Sequence, residues 1–351
     1  MQTFHCDHCG QLVFFENALC EACGHVLGYL TDVRAMSALE PLPDGLWVSL
    51  SASANLYRMC RNYAVENVCN WMLPAHDAHS LCESCRLTEI IPALCLAQNR
   101  TYWYRLEQAK RRLIHTLLAL SLMPVARAED DEPGLAFRFL ADSIETGKVM
   151  TGHDSGVITL NLAEADDGLR ERTRAQLGEP YRTLLGHFRH ETGHYYWNRL
   201  IKMGGRLESL RQLFGDERTD YGASLGHHYG RGPPGNWRQD FVSGYASAHP
   251  WEDWAETWAQ YLTMVDALET VQACGLELIP ARPGDPALGR GVHPGVAGSF
   301  DQMLERWFPL SYVLNNLHRS LGMPDGYQFS LAATVVAKLR FVHEVVTAPR
   351  P

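Results

Sequence analysis

The sequence has 351 residues, a net charge of −9 at pH 7 and a pI near 6.0. Its length is enough for one large domain or two smaller ones, and its acidic charge argues against a nucleic acid or an anionic membrane held by bulk electrostatics. The sequence contains no stretch of eighteen apolar residues that would span a bilayer, so no membrane partner is expected.

The chain begins with a cysteine pair where a signal peptide would have its apolar region. Cys6 and Cys9 form one C-x-x-C pair, Cys20 and Cys23 form a second, and a glycine follows each pair. Glycine suits the positive φ that such a metal-binding turn requires. Because four thiolates fill all positions of a tetrahedral zinc ion, we predict a closed, structural zinc site. Cysteine pairs of this kind favour a reducing compartment, so we expect a cytoplasmic protein.

A second candidate set of ligands consists of Cys60, Cys69, Cys82 and Cys85. Only the last two stand as C-x-x-C, and the spacing of the first two is looser. The same ligand count predicts a second structural zinc ion. His76 or His79 offers an alternative to Cys69 as a ligand, although we favour ordinary loop positions for both histidines.

The first 97 residues are more acidic than the rest of the chain. They carry ten acidic and four basic side chains, a net charge of −6, and each four-thiolate zinc site adds about −2. A zinc ribbon that reads DNA is normally basic. We therefore predict that residues 1–97 form a tandem zinc-ribbon region that contacts a protein partner or supports a second domain, residues 98–351.

Hydrophobic periodicity predicts the main elements of the second domain. Helices are predicted over 99–122, 181–200, 304–318 and 330–346, and strands over 135–140 and 156–162. The strand at 156–162 precedes the helix at 181–200, so it is either the rim of a cleft where an extended peptide can pair or an interior strand. The glycine- and proline-rich stretch 222–236 predicts a long loop, and its histidines, His227 and His228, are left outside the site.

The helix at 181–200 contains the pattern H-E-x-x-H, with His190, Glu191 and His194. Residues four apart lie about 40° apart around a helix axis, so both imidazoles can share one metal ion. Glu191 lies about 100° from His190, which lets its carboxylate reach a water on that ion without being a ligand. Gly193 would let a facing chain approach closely. Histidines on the polar face of an ordinary helix are the alternative, but the apolar and aromatic neighbours favour a buried active-site helix.

A catalytic zinc site needs a third protein ligand and keeps one position open. The elongated pattern H-E-x-x-H-x-x-G-x-x-H fails, because Trp197 replaces its glycine and Leu200 replaces its third histidine. A second pattern, E-x-x-x-E, begins 58 residues after the second histidine. In such a pattern the first carboxylate binds the metal and the second orients a ligand histidine, which predicts these roles for Glu252 and Glu256.

Together these motifs resemble a bacterial family of zinc-binding metallopeptidases that carry an N-terminal zinc-ribbon region. The matching pieces span nearly the whole chain: both C-x-x-C-G pairs, C-N-W at 69–71, C-E-S-C-R-L at 82–87, H-E-T-G-H-Y-Y-W at 190–197 and H-P-W-E-D-W-A-E at 249–256. The resemblance implies an α+β fold in which a zincin-like domain of gluzincin type, mostly helical with a small sheet, follows the zinc-ribbon region. Segment 243–256 is also similar to the anthrax lethal-factor group, whose pattern has a tyrosine seven residues before the ligand glutamate; here it is Tyr245.

The sequence therefore predicts a zinc-dependent peptidase that acts on an unknown protein or peptide, with one catalytic and two structural zinc ions. Glu191 would be the general base, and Tyr245 would donate to the oxyanion. Two alternatives stay open: a zinc-ribbon interaction protein whose peptidase-like domain is inactive, and a peptidase that docks on nucleic acid. The intact Glu191 argues against the first, and the acidic residues 1–97 argue against the second.

Overall fold

The computed structural model of the protein describes residues 1–52, 54–127, 134–142, 147–177, 183–290, 298–327 and 330–349. Within these ranges it contains nine α-helices and eleven strands, which agrees with the predicted α+β class. None of the helices in these ranges is both long enough and apolar enough to cross a membrane.

Seven strands lie in the first 74 residues: β1 (Phe4–His5), β2 (Leu12–Val13), β3 (Val26–Leu30), β4 (Ala35–Pro41), β5 (Leu46–Ser49), β6 (Leu56–Met59) and β7 (Trp71–Pro74). β1 and β2 form a small antiparallel pair, and β3 to β7 close into a barrel, in which β3 and β7 pair in parallel. Tyr29, Tyr57 and Trp71 are fully buried in this part of the molecule. The N-terminal region thus contains a barrel that the cysteine pattern alone did not predict.

A four-stranded sheet combines strands from both parts of the chain. Its strands are β8 (Thr88–Ile90), β9 (Ala136–Leu140), β10 (Gly152–Asp154) and β11 (Val157–Asn161), in the order β10-β11-β9-β8. β9 and β11 confirm the strands predicted at 135–140 and 156–162. Because β11 pairs with β10 on one side and β9 on the other, it is an interior strand, and β10 forms the edge.

Nine helices complete the described fold: α1 (Arg61–Ala64), α2 (Ala97–Ala119), α3 (Asp167–Leu177), α4 (Leu184–Tyr196), α5 (Leu207–Phe214), α6 (Tyr221–Arg231), α7 (Pro250–Ala273), α8 (Phe300–Ser320) and α9 (Ala333–Thr347). The predicted helices at 99–122, 304–318 and 330–346 correspond to α2, α8 and α9. The helix predicted at 181–200 corresponds to α4 and a π-helical continuation, Trp197–Lys202; residues 181 and 182 lie outside the described ranges.

The prediction of a loop over 222–236 is wrong for its first two thirds, residues 222–231, which belong to α6. The side chain of Asp220 accepts a hydrogen bond from the Ala223 backbone N–H at 2.9 Å, and Gly232, at a φ of +76°, ends the helix. These two caps satisfy the backbone groups at the helix ends and offset the low helix propensity of the glycines inside. No residue of α6 is fully buried, although Tyr221, Leu225 and Tyr229 are spaced four apart along one face.

Contacts cross the predicted boundary between residues 97 and 98. β8, which precedes the boundary, pairs in parallel with β9, which follows it. The guanidinium of Arg111 on α2 donates to the Val68 carbonyl at 2.5 Å, and the ring of His115 packs against Phe4. The boundary itself stays a prediction, but these contacts show that the two parts share buried surface.

Helix α4 packs against both α7 and α2. The ring of Tyr196 stacks on Trp258 with centroids 4.8 Å apart, and the Trp254 indole donates to the Gly193 carbonyl at 2.8 Å. Helix α9 is tied to α7 by a buried ion pair between Lys338 and Asp253 at 2.6 Å. These contacts hold α4 and α7 in a fixed relation, and the predicted site lies between these two helices.

Candidate metal centre

The two histidines of H-E-x-x-H lie on the same side of α4. The helix begins at an N-cap, Thr183, whose hydroxyl accepts from the Gly186 backbone N–H at 2.9 Å. Further along the helix, the rings of His190 and His194 have centroids 5.0 Å apart. His194 is buried and His190 is partly buried. The spacing of one helical turn thus places the two imidazoles side by side, as the sequence predicted.

Glu252 reaches the two histidines from the first turn of α7. His249 caps this helix, since its Nδ1 accepts from the Trp251 backbone N–H at 3.1 Å. Oε2 of Glu252 lies 3.0 Å from Nε2 of His190, and Oε1 lies 3.6 Å from Nε2 of His194. The ligand atoms of the two histidines and the glutamate all lie within 4.8 Å of one another. The structure therefore brings together the three residues that the sequence predicted as metal ligands.

Glu256, one turn further along α7, contacts the other ring nitrogen of His190. Its Oε1 lies 2.6 Å from Nδ1 of His190, and its Oε2 accepts a hydrogen bond from the Ser243 hydroxyl at 2.6 Å. A carboxylate in this position fixes the orientation of the ring and directs Nε2 toward the space shared with Glu252. The sequence predicted this role for Glu256, whereas Ser243 was missed because a lone serine in a loop carries no spacing pattern.

The close approach of α4 and α7 depends on Gly193. A Cβ at this position would lie 2.9 Å from the Cα of Ala255 and 3.2 Å from Cδ1 of Trp258. The facing chain that the sequence left unidentified is therefore α7, the helix that carries Glu252.

Replacing Gly193 by alanine is expected to destabilise the protein by about 1–3 kcal/mol, because the new methyl group overpacks the contact between the helices. The displaced α7 should also bind metal more weakly through Glu252. Urea unfolding and a chelator titration measure the two effects. Gly226→Ala, in exposed α6 with no atom within 4 Å of the new Cβ, is the matched control and should be neutral or slightly stabilising. A Gly193→Ala protein as stable as the unaltered chain would contradict this account.

Glu191 and Tyr245 lie beside the cluster formed by His190, His194 and Glu252. Glu191 is buried, and this burial raises the pKa of its carboxyl to about 7. Tyr245 lies in a short 3-10 turn, Tyr245–Ala248, with its ring centroid 5.9 Å from that of His190. Burial, together with the charge of Glu252, raises the pKa of Tyr245, so its phenol keeps its proton.

The electrostatics of the cluster favour a bound cation. Burial alone would lower the pKa of His190, but the carboxylates of Glu252 and Glu256 outweigh it and hold that pKa well above its ordinary value. Burial also raises the pKa of Glu252, yet His194 and His190 bring it down to about 2. The two histidines thus keep Glu252 ionised, and the cluster favours a positive charge, a proton or a metal ion, next to it.

The donor set fits zinc. Nδ1 of His190 contacts Glu256, so Nε2, which lies 3.0 Å from Oε2 of Glu252, is the ring nitrogen at which a metal ion would replace a proton. Glu252 is buried, so its ionised carboxylate needs a positive charge beside it, which a metal ion would supply. Two imidazoles and one carboxylate are the ligands of many open zinc sites.

The eight predicted cysteine ligands form two groups. In the first, Sγ of Cys6 lies 3.7 Å from Sγ of Cys23, and Sγ of Cys9 lies 3.7 Å from Sγ of Cys20. Zinc–sulfur bonds of about 2.3 Å in a tetrahedron imply sulfur separations of about 3.8 Å, so this group has the size of a zinc site.

The second group consists of Cys60, Cys69, Cys82 and Cys85, all of them buried. Sγ of Cys69 lies 3.8 Å from Sγ of Cys82. Cys69 therefore belongs to the group, and the alternative ligands His76 and His79 are not part of it.

Three further residues lie beside the His190–His194–Glu252 group, and of these only Trp251 belongs to a motif, H-P-W-E-D-W-A-E at 249–256. The phenol of Tyr221 donates to Oε1 of Glu252 at 2.6 Å. The ring of Trp251 lies 4.4 Å from that of His194, and His153 on edge strand β10 stacks against His194 at 5.9 Å. His153 also lines a groove of about 460 Å³ along β10. The cluster thus lies beside a sheet edge.

Comparison with known proteins agrees with these observations. Residues 99–345 match the sequence profile of the family described as "putative zinc-binding metallo-peptidase", and residues 3–96 match that of a zinc-ribbon domain. The chain is 44% identical over 352 residues to an uncharacterized protein of Mycobacterium bovis, an alignment that covers 100% of the chain and 97% of the relative. Uncharacterized proteins from two strains of Mycobacterium tuberculosis match equally well. No solved structure matches the chain.

Proposed function

The chain belongs to this family of zinc-binding metallo-peptidases, and on that premise we propose that it hydrolyses peptide bonds with a zinc ion held by His190, His194 and Glu252. The proposal rests on the proximity of these three side chains, whose ligand atoms lie within 4.8 Å of one another. Three protein ligands leave one tetrahedral position open, as catalytic zinc requires.

Zinc in such a site supplies a Lewis acid that acidifies water and polarises a carbonyl group. Glu191 takes the proton from the attacking water and passes it to the leaving amine. Its pKa of about 7 suits a group that both accepts and releases a proton near neutral pH. Tyr245 keeps its proton and donates to the oxyanion.

The substrate in this proposal is an extended peptide that pairs with β10. This strand is the edge of the sheet, and His153 on it lies beside His194. An exposed strand edge offers backbone hydrogen bonds to a peptide of any sequence. The zincin-like fold of gluzincin type, the cytoplasmic location and a protein partner at the zinc-ribbon region are parts of the same proposal.

Incubation with a library of peptides cut from a whole proteome tests the activity without a known substrate. New termini, identified by mass spectrometry, should appear with the zinc-loaded protein and disappear after the metal is removed. A zinc-loaded protein that generates no new termini would overturn the proposed function.

We expect about three zinc ions per chain, because two closed four-thiolate groups and one open three-ligand group are present. Elemental analysis of protein purified without added metal measures this number. Mild chelation should remove one ion first, since the open site has fewer ligands. One zinc ion or fewer in folded protein would contradict the pair of cysteine sites.

A further inference from the structure

We propose that Tyr221 is a positioning residue that holds Glu252 in the orientation required for metal binding. This inference rests on the proposed function, because it takes Glu252 as a metal ligand. Tyr221 is the first residue of α6, most of which lies in the stretch that the sequence predicted to be a loop.

The two oxygens of Glu252 have different surroundings. Oε1 accepts the phenol hydrogen of Tyr221 at 2.6 Å, whereas Oε2 lies 3.0 Å from Nε2 of His190. The hydrogen bond therefore occupies one oxygen and leaves the other for the cation. Without it, the carboxylate would be free to rotate about its last torsion.

Tyr221 is itself held in place by neighbouring residues. Its ring packs edge-on against His249 at 5.2 Å and against Trp251 at 5.7 Å. His249 also contacts the Thr219 carbonyl at 3.2 Å, which ties the segment before α6 to the start of α7. The phenol is thus fixed relative to the helix that carries Glu252.

The two tyrosines at the site have different positions. Tyr245 approaches His190, with ring centroids 5.9 Å apart, whereas the hydroxyl of Tyr221 is engaged with Glu252. A hydrogen bond to a ligand carboxylate orients that ligand and does not leave the phenol available for an oxyanion. Loss of such an outer partner typically weakens metal binding by about 10–100-fold.

Tyr221→Phe removes the hydrogen bond and keeps the ring. After mild chelation, titration with Co²⁺ should show about 10–100-fold weaker binding at the open site and an altered visible spectrum. Tyr229→Phe, an exposed tyrosine on the same helix, is the matched control and should bind like the unaltered protein. Tyr245→Phe should also keep its Co²⁺ affinity.

Binding by Tyr221→Phe with unchanged affinity and spectrum would overturn the inference. His190→Ala separates this result from a failure of the proposed function: if it also binds Co²⁺ normally, the metal site itself is misassigned. A single cooperative urea-unfolding transition in each variant shows that the chain has folded.

Discussion

Replacing Glu191 by glutamine is expected to lower peptide hydrolysis by about 10²–10⁴-fold, the usual contribution of a general base. Its zinc content should not change, because the predicted ligands are His190, His194 and Glu252. Initial rates on a peptide found with the proteome library measure the first effect, and elemental analysis measures the second.

Glu252→Gln is the matched comparison, since it makes the same chemical change on α7 instead of α4. A neutral amide is a poorer zinc ligand than a carboxylate, so this variant should lose metal to a chelator more readily. If Glu191→Gln loses metal as readily as His190→Ala, Glu191 is structural and the hydrolytic mechanism fails. If Glu252→Gln holds zinc like the unaltered protein, the third ligand is another residue.

Replacing Arg111 by leucine is expected to destabilise the protein by about 3–5 kcal/mol, the cost of leaving a buried charge without its partner. Arg111 is fully buried on α2, and although burial lowers its pKa, the thiolates of Cys69 and Cys85 outweigh this and raise it. Its positive charge offsets the net charge of about −2 on a four-thiolate zinc site. Urea unfolding and zinc retention measure the effect.

Arg112→Leu is the control at the next position of the same helix. The side chain of Arg112 is 41% exposed and pairs with Glu16 at 2.5 Å. Because Arg112 is partly open to solvent, the loss of this ion pair should destabilise the protein by about 1 kcal/mol, well below the effect expected at Arg111. Equal effects of the two substitutions would show that Arg111 does not neutralise the zinc site.

The sequence predicted those parts of the site that depend on local spacing. His190 and His194 are about one turn apart, and so are Glu252 and Glu256, so helix geometry alone brings each pair to one face. Three further residues come from a loop, a glycine-rich helix and an edge strand: Ser243, Tyr221 and His153. Their places depend on tertiary packing, which leaves no periodic pattern in the sequence.

The sequence likewise predicted the elements of the fold that have a local pattern and missed those that do not. Helix α2 has apolar residues at helical spacing from Trp103 to Leu117, about four turns, and β9 and β11 are rich in β-branched or aromatic residues. The barrel of β3 to β7 was missed, because its closure pairs Tyr29 with Trp71, which lie far apart in the sequence. Such distant pairing is not encoded in any local stretch.

The parallel pairing of β8 with β9 has a consequence for folding during synthesis. The barrel and both cysteine groups are complete in the sequence by Cys85, so zinc can bind there while the rest of the chain is still being made. β8 can pair with β9 only later in synthesis, because β9 begins at Ala136 and the whole of α2 lies between the two strands. We therefore expect the N-terminal part to form first and its last strand, β8, to provide the edge on which β9 pairs.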